Sequence, residues 1–184
     1  MDRGRLSGPV PPTLHFTKRI TMSATENKSD LINMDLKTGR VVIRLRPDLA
    51  PLAAERIRTL SAEGFYDNTP FHRVIHGFMA QGGDPTGTGT SGSKLPDLKA
   101  EFTNKAKFER GTVGMARTMN PDSANSQFFI MFEPSPHIDG QYTIVGQVIE
   151  GMDHIDKVKR GAGQSGMVQD PDRIIKMRPA DAEA

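Results

Sequence analysis

The chain has 184 residues and no cysteine, with 24 Lys and Arg against 22 Asp and Glu. That length suits one domain with a real core, and the missing thiols exclude a disulfide framework, a thiolate zinc site and a cysteine nucleophile. Residues 1 to 30 hold five Lys and Arg against three Asp and Glu, which leaves 19 of each sign beyond them, so the body carries no basic footprint for nucleic acid.

The first 29 residues have scattered basic groups but no apolar run of the length a signal peptide or membrane helix needs. Their Gly, Pro, Ser and Thr content reads as a disordered extension, and Met22 followed by SATENKSD reads as an alternative start. Residues 1 to 21 are expected to be dispensable for folding.

LINMDLKTGRVVIRLRP, residues 31 to 47, alternates apolar and polar positions at Ile32, Met34 and Leu36 and again at Val41, Ile43 and Leu45. With KTGR between the two runs, the pattern is that of a β-hairpin. APLAAERIRTLSAEG follows, with Pro51 suited to a first helical turn, Ala53, Ile57 and Leu60 on one face, and Gly64 as a stop. From residue 69 the chain is strand-like in short pieces: TPFHRVI, GFMAQGG, GTVGMAR, SQFFIMF and YTIVGQVI. Many short strands with few helices suggest a barrel or sandwich. MDHIDKVKR fits a second helix ending before Gly161, RIIKM a closing strand, and PADAEA a tail. Two polar stretches, DPTGTGTSGSKLPD at 84 to 97 and RTMNPDSANS at 117 to 126, read as the long loops on which sites are usually built.

Three chemistries fit poorly. His72 and His76 are four apart, but in a strand four residues span ~13 Å, too far for two ligands of one ion; two structural or surface histidines is the better reading. GTGTSGSK lacks the spacing of a phosphate loop and opens no convincing helix, so a flexible groove rim is expected there. No G-x-S-x-G elbow is present. What remains unusual is Arg73 inside the apolar stretch FHRVIHGFMAQGGD, because a guanidinium in such company needs an ionic partner or a task. Phe128 and Phe129 point to opposite faces of a strand, so one fills the core while the other is free to line a groove beside Met79.

FHRVIHGFMAQGGD, then MAR, SQFF and a D-G-x-Y segment at residues 139 to 142, together resemble the cyclophilin-type peptidyl-prolyl cis/trans isomerases, in a compact prokaryotic-like form, from about Asp30 to Met177. The resemblance implies a mainly β fold: a closed eight-stranded antiparallel barrel capped by two α-helices, spanning residues 30 to 178 between the N-terminal extension and a tail at 179 to 184. It implies rotation about X-Pro bonds with Arg73 and Gln81 as catalytic residues. Phe78, Met79, Phe129 and Ile138 would grip the proline ring, with Tyr142 closing the pocket. Gln127 would supply polar contacts, and Gly89, Ala116 and Arg117 would carry the substrate backbone. His137 stands where many members have a Trp associated with tight cyclosporin binding, so reduced cyclosporin affinity is expected.

No metal and no cofactor are required, since no bond is made or broken. Expected partners are proline-containing peptides and folding or unfolded proteins, with no nucleic acid or membrane. A cytoplasmic monomer is expected. Two rivals use the same residues differently: a non-catalytic module or chaperone that only holds proline segments, and a structural core in which Arg73 is paired to an acid such as Asp84 or Glu101.

Overall fold

The structure, a computed structural model, describes residues 27–183; the expectations for the N-terminal extension and for Met22 lie outside them. Eight strands and two helices follow in chain order: β1 Leu31–Leu36, β2 Gly39–Leu45, α1 Pro51–Ala62, β3 Arg73–Ile75, β4 Met79–Gly82, β5 Thr112–Met115, β6 Phe128–Met131, β7 Ile144–Glu150, α2 Met152–Asp156 and β8 Lys176–Pro179. They make one antiparallel sheet in the order β3-β4-β6-β5-β7-β2-β1-β8.

The expected hairpin forms with Leu36 opposite Gly39. Its alternation places Ile32, Met34, Val41 and Ile43 in the core, as a period of two requires. The same rule sorts the later strands. Val74, Ala80, Phe128 and Ile130 join the main core, whereas Met79, Phe129 and Met131 fall in a second apolar cluster with Phe108, Ile138 and Ile144 on the sheet's other face. A sheet apolar on both faces has a core inside and a platform outside.

The regular ladders do not close the barrel, a difference from the fully closed form expected. β3 and β8 stand at opposite ends of the strand order, and irregular backbone bridges the seam: Asn68 and Phe71 donate to the carbonyls of Ile174 and Asp172, and Ile174 donates back to Thr69. This is why TPFHRVI yields only a three-residue strand and why the last strand begins at Lys176 and not at Arg173. The residues read as tail are tied down as well: Pro179 pairs with Ile32, and Glu183 accepts from Asn33 Nδ2 at 2.8 Å.

α1 buries Ala53, Ile57 and Leu60 and ends as expected at Gly64, whose φ of +74° suits a residue without a Cβ. Phe65 N–H donates to the Leu60 carbonyl and Gly64 N–H to that of Ser61, the paired bonds that satisfy orphan carbonyls at a helix end. α2 stops at Asp156, earlier than MDHIDKVKR suggests, and further on the Asp172 carboxylate takes the Lys159 N–H at 2.8 Å. Among the described residues no helix is long and apolar enough to cross a membrane.

Candidate active site

Arg73 and Gln81 face each other in the β3–β4 register, and Gln81 faces Phe129 across β4 and β6. Arg73, Met79, Gln81 and Phe129 therefore lie on one face of the sheet, opposite the main core. With Phe78, Ala116, Arg117, Ile138 and Tyr142 they line a cavity of about 180 Å³. Its base is aromatic. Phe129 stacks on Phe108 with centroids 5.6 Å apart and meets Tyr142 edge-on at the same distance. Ile138 arrives from a short 3-10 turn, Pro136–Ile138.

Arg73 is half-buried at the cavity's edge and has no carboxylate partner among the described residues. Its Nε donates to the Ser165 carbonyl at 2.9 Å and its Nη1 to Gln81 Oε1 at 3.1 Å. Two of five N–H groups are thus engaged, which leaves three. The acids considered as its partners are occupied elsewhere. Asp84 is fully buried and accepts from the Thr86 hydroxyl and from the backbone N–H groups of Thr86, Gly89 and Ser91. Burial alone would raise its carboxyl, but these donors outweigh that and hold it below the usual carboxylate range. Glu101 caps α1, accepting from Leu52 and Ala53 N–H at 2.9 and 3.0 Å.

The amides continue the line. Gln81 Nε2 donates to Gln127 Oε1 at 2.9 Å, and Gln127 Nε2 donates to the Ser91 carbonyl at 2.9 Å. A polar row thus runs from the segment holding Ser165, through Arg73, to the loop after Asp84. That loop forms the groove rim expected there and is wound around a buried carboxylate.

A second, larger cavity of about 510 Å³ adjoins the first and shares Gln81, Ala116 and Arg117 with it. Gly89 and Gln127 line this one and not the apolar cavity. The residues expected to carry the substrate backbone, Gly89, Ala116 and Arg117, all line it, and it is built by the two polar loops, 84 to 97 and 117 to 126, flagged as site-bearing. His137 is exposed and lines neither; its ring leans on Phe78 with centroids 5.8 Å apart. Ser165, which anchors Arg73, carried no local signal, because it acts through a carbonyl 92 positions away.

The arrangement can hold a small apolar ring beneath a fixed guanidinium. The family model described as cyclophilin type peptidyl-prolyl cis-trans isomerase/CLD matches residues 31–179. The chain belongs to the cyclophilin family. A probable peptidyl-prolyl cis-trans isomerase of Brucella suis is 51% identical over 168 residues, covering 85% of each chain. A peptidyl-prolyl cis-trans isomerase of Helicobacter pylori is 43% identical over 126 residues, 67% of this chain and 76% of that one. Among solved structures, a Cryptosporidium parvum cyclophilin type peptidyl-prolyl cis-trans isomerase, crystallised in the presence of the dipeptide Ala-Pro, superposes with a TM-score of 0.75 at 31% identity, covering 81% of this chain and 98% of that chain. This cyclophilin is accordingly a peptidyl-prolyl cis-trans isomerase.

Proposed function

We propose that this cyclophilin turns X-Pro bonds by seating the proline ring in the apolar cavity and presenting Arg73 to the proline nitrogen. The uncatalysed rotation is slow because amide resonance sets a barrier of ~18–20 kcal/mol, and catalysis has to favour the twisted amide over the planar one. Phe78, Met79, Phe129, Ile138 and Tyr142 hold the ring, so the residue before proline can swing. As the bond twists, the nitrogen lone pair leaves conjugation and becomes an acceptor, and a guanidinium placed there stabilises that state alone. The Arg73 guanidinium offers donors in a fixed plane. Gln81 orients it, and the backbone of residues 116 to 118 carries the flanking peptide, with Gln127 and Gly89 at the polar end.

The observation that carries this reading is a guanidinium at the edge of an apolar cavity with no carboxylate partner among the described residues. A module that merely binds proline has no need of such a charge, and a structural arginine would be paired. The substrates are proline-containing peptides and folding proteins, in the cytoplasm, with the protein acting as a monomer. Cyclosporin binds with reduced affinity, since the exposed His137 offers less apolar surface than a Trp.

The test is exchange spectroscopy on an Ala-Pro peptide with wild type and Arg73→Ala. Removing one donor aimed at a transition-state charge is expected to cost ~10²–10³ in rate, with the fold intact by circular dichroism. Unchanged catalysis in Arg73→Ala would overturn the role given to that residue, and binding without any acceleration by wild type would favour the non-catalytic module.

A further inference from the structure

Among the described residues, Arg117 is the one charged side chain that lines the polar cavity and the apolar cavity together, and its environment fixes it in place. The Tyr142 and Phe102 rings lie against its guanidinium, with centroids 4.6 and 5.5 Å from Cζ. Its Nε and Nη2 donate to the Gln141 carbonyl at 3.1 and 2.7 Å, and its Nη1 donates to the Thr118 carbonyl at 2.9 Å. Every one of these partners is neutral. Three of five N–H groups are used, which leaves two on the edge of the plane. Rings against the plane, the Gln141 carbonyl on Nε and Nη2 and the Thr118 carbonyl on Nη1 leave a pre-set cation with no acidic partner among the described residues, and the remaining N–H on each Nη suits a carboxylate.

Away from Arg117, Asp97 lines the polar cavity and Arg56 stands behind it, while the buried Asp84 carboxylate lies under the rim, held by the Gly89 and Ser91 N–H groups. Asp97 accepts from Asn125 Nδ2 at 3.0 Å. Arg56 lies behind the wall, its guanidinium bonded to the carbonyls of Pro96 and Asn125. The end near Asp97 is therefore mixed in sign, and the end shared with the proline cavity is positive.

We propose that Arg117 is a specificity-determining residue that makes this isomerase prefer an acidic side chain close to the proline, on the side of the substrate that runs into the polar cavity. This rests on the proline-cavity reading above. The preference belongs to the one or two substrate positions that reach the shared wall, since an extended chain advances ~3.3 Å per residue, and it fades toward Asp97. Because Arg117 is already ordered, pairing with it immobilises few groups beyond the substrate's own side chain.

The experiment uses the full chain and alanine-based heptapeptides with a single proline at the fifth position. Each alanine is replaced in turn by glutamate, glutamine or lysine, with kcat/KM taken from exchange spectroscopy. The Glu-to-Gln ratio at one position near proline is expected to reach about three- to tenfold in low salt and to shrink toward one in 0.5 M salt, with Lys below Gln at that position. In Arg117→Gln the ratio is expected to fall to about one, whatever happens to overall rate, and in Arg117→Lys to survive in part. The ratio is internal to each enzyme, so a general loss of activity does not imitate the effect. A wild-type ratio of one at every position, or a ratio that persists in Arg117→Gln, overturns the proposal. The peptide with alanine at every position but the fifth separates the two readings: if it is accelerated, the proline cavity stands even where the charge preference fails.

Discussion

A Cβ on Gly114 would sit 2.4 Å from Cζ of Phe129 and 2.7 Å from Cε1 of Phe108. Gly114 faces Phe129 across the β5–β6 ladder, so its bare backbone is what allows the two rings to lie flat over the sheet and form the base of the proline cavity. A methyl group there forces the Phe129 ring to move, since overpacking costs ~1–3 kcal/mol when side chains must leave their rotamers. Gly114→Ala is expected to lower kcat/KM on an Ala-Pro peptide at least tenfold while the protein still unfolds cooperatively, as checked by exchange spectroscopy and urea melts. Phe129 was legible in the sequence as one of two adjacent phenylalanines facing opposite ways. Gly114 was not, because its importance lies in the approach of rings from two other segments.

At the scale of elements, α1 begins without a cap of its own. Ala50 stands at the N-cap and has no side-chain acceptor, and the first turn holds no acidic residue. Glu101, from a segment some fifty positions later, supplies the missing acceptor to the Leu52 and Ala53 N–H groups, and its charge also suits the positive end of the helix. Loss of an N-cap typically costs ~1 kcal/mol. Glu101→Ala is therefore expected to lower the melting temperature by ~2–4 °C, as scanning calorimetry would register. The same helix holds the polar cavity together, since Arg56 on its buried face binds the Pro96 and Asn125 carbonyls. The helix was readable from Pro51, its apolar spacing and Gly64; its cap and its grip on two distant loops were not, since neither leaves a mark in the local sequence.

For the whole molecule, acid stability should fall in two stages. His72 is buried, and neither ring nitrogen meets a partner in good hydrogen-bond geometry. Burial depresses its basicity, with Asp84 opposing and Arg73 adding to the effect. A histidine whose basicity is lowered by the fold binds its proton more readily when unfolded, so stability is complete above the ordinary histidine value of ~6.5 and declines as pH falls from there toward the lowered folded value, by up to ~1.4 kcal/mol per pH unit. The second stage belongs to carboxylates. Hydrogen bonds from Arg178, Arg40 and Arg110 hold Asp67, Asp35 and Asp156 below the usual range. Their contribution is present above ~4 and is lost as pH falls through the lowered values. Urea unfolding at pH 7.5, 6 and 5 is expected to register the first stage in wild type and a flatter profile in His72→Gln; equal stability at all three pH values in wild type would contradict the role of His72.

The sequence by itself determined that neighbouring strand residues take opposite faces, because alternation with a period of two is a local property, and the register then brings Arg73, Met79, Gln81 and Phe129 into phase. It also determined the hairpin, the first helix and the family, through motifs that are short and contiguous. Only the tertiary structure decided how the sheet meets itself, with residues 68 to 71 and 172 to 174 bridging the seam in place of a ladder. It decided as well that Arg73 is held by the Ser165 carbonyl and Gln81, not by Asp84 or Glu101. The reason is the same in both cases: a backbone carbonyl or a free edge is offered by every residue, so which one a distant side chain meets is set by packing and not by composition.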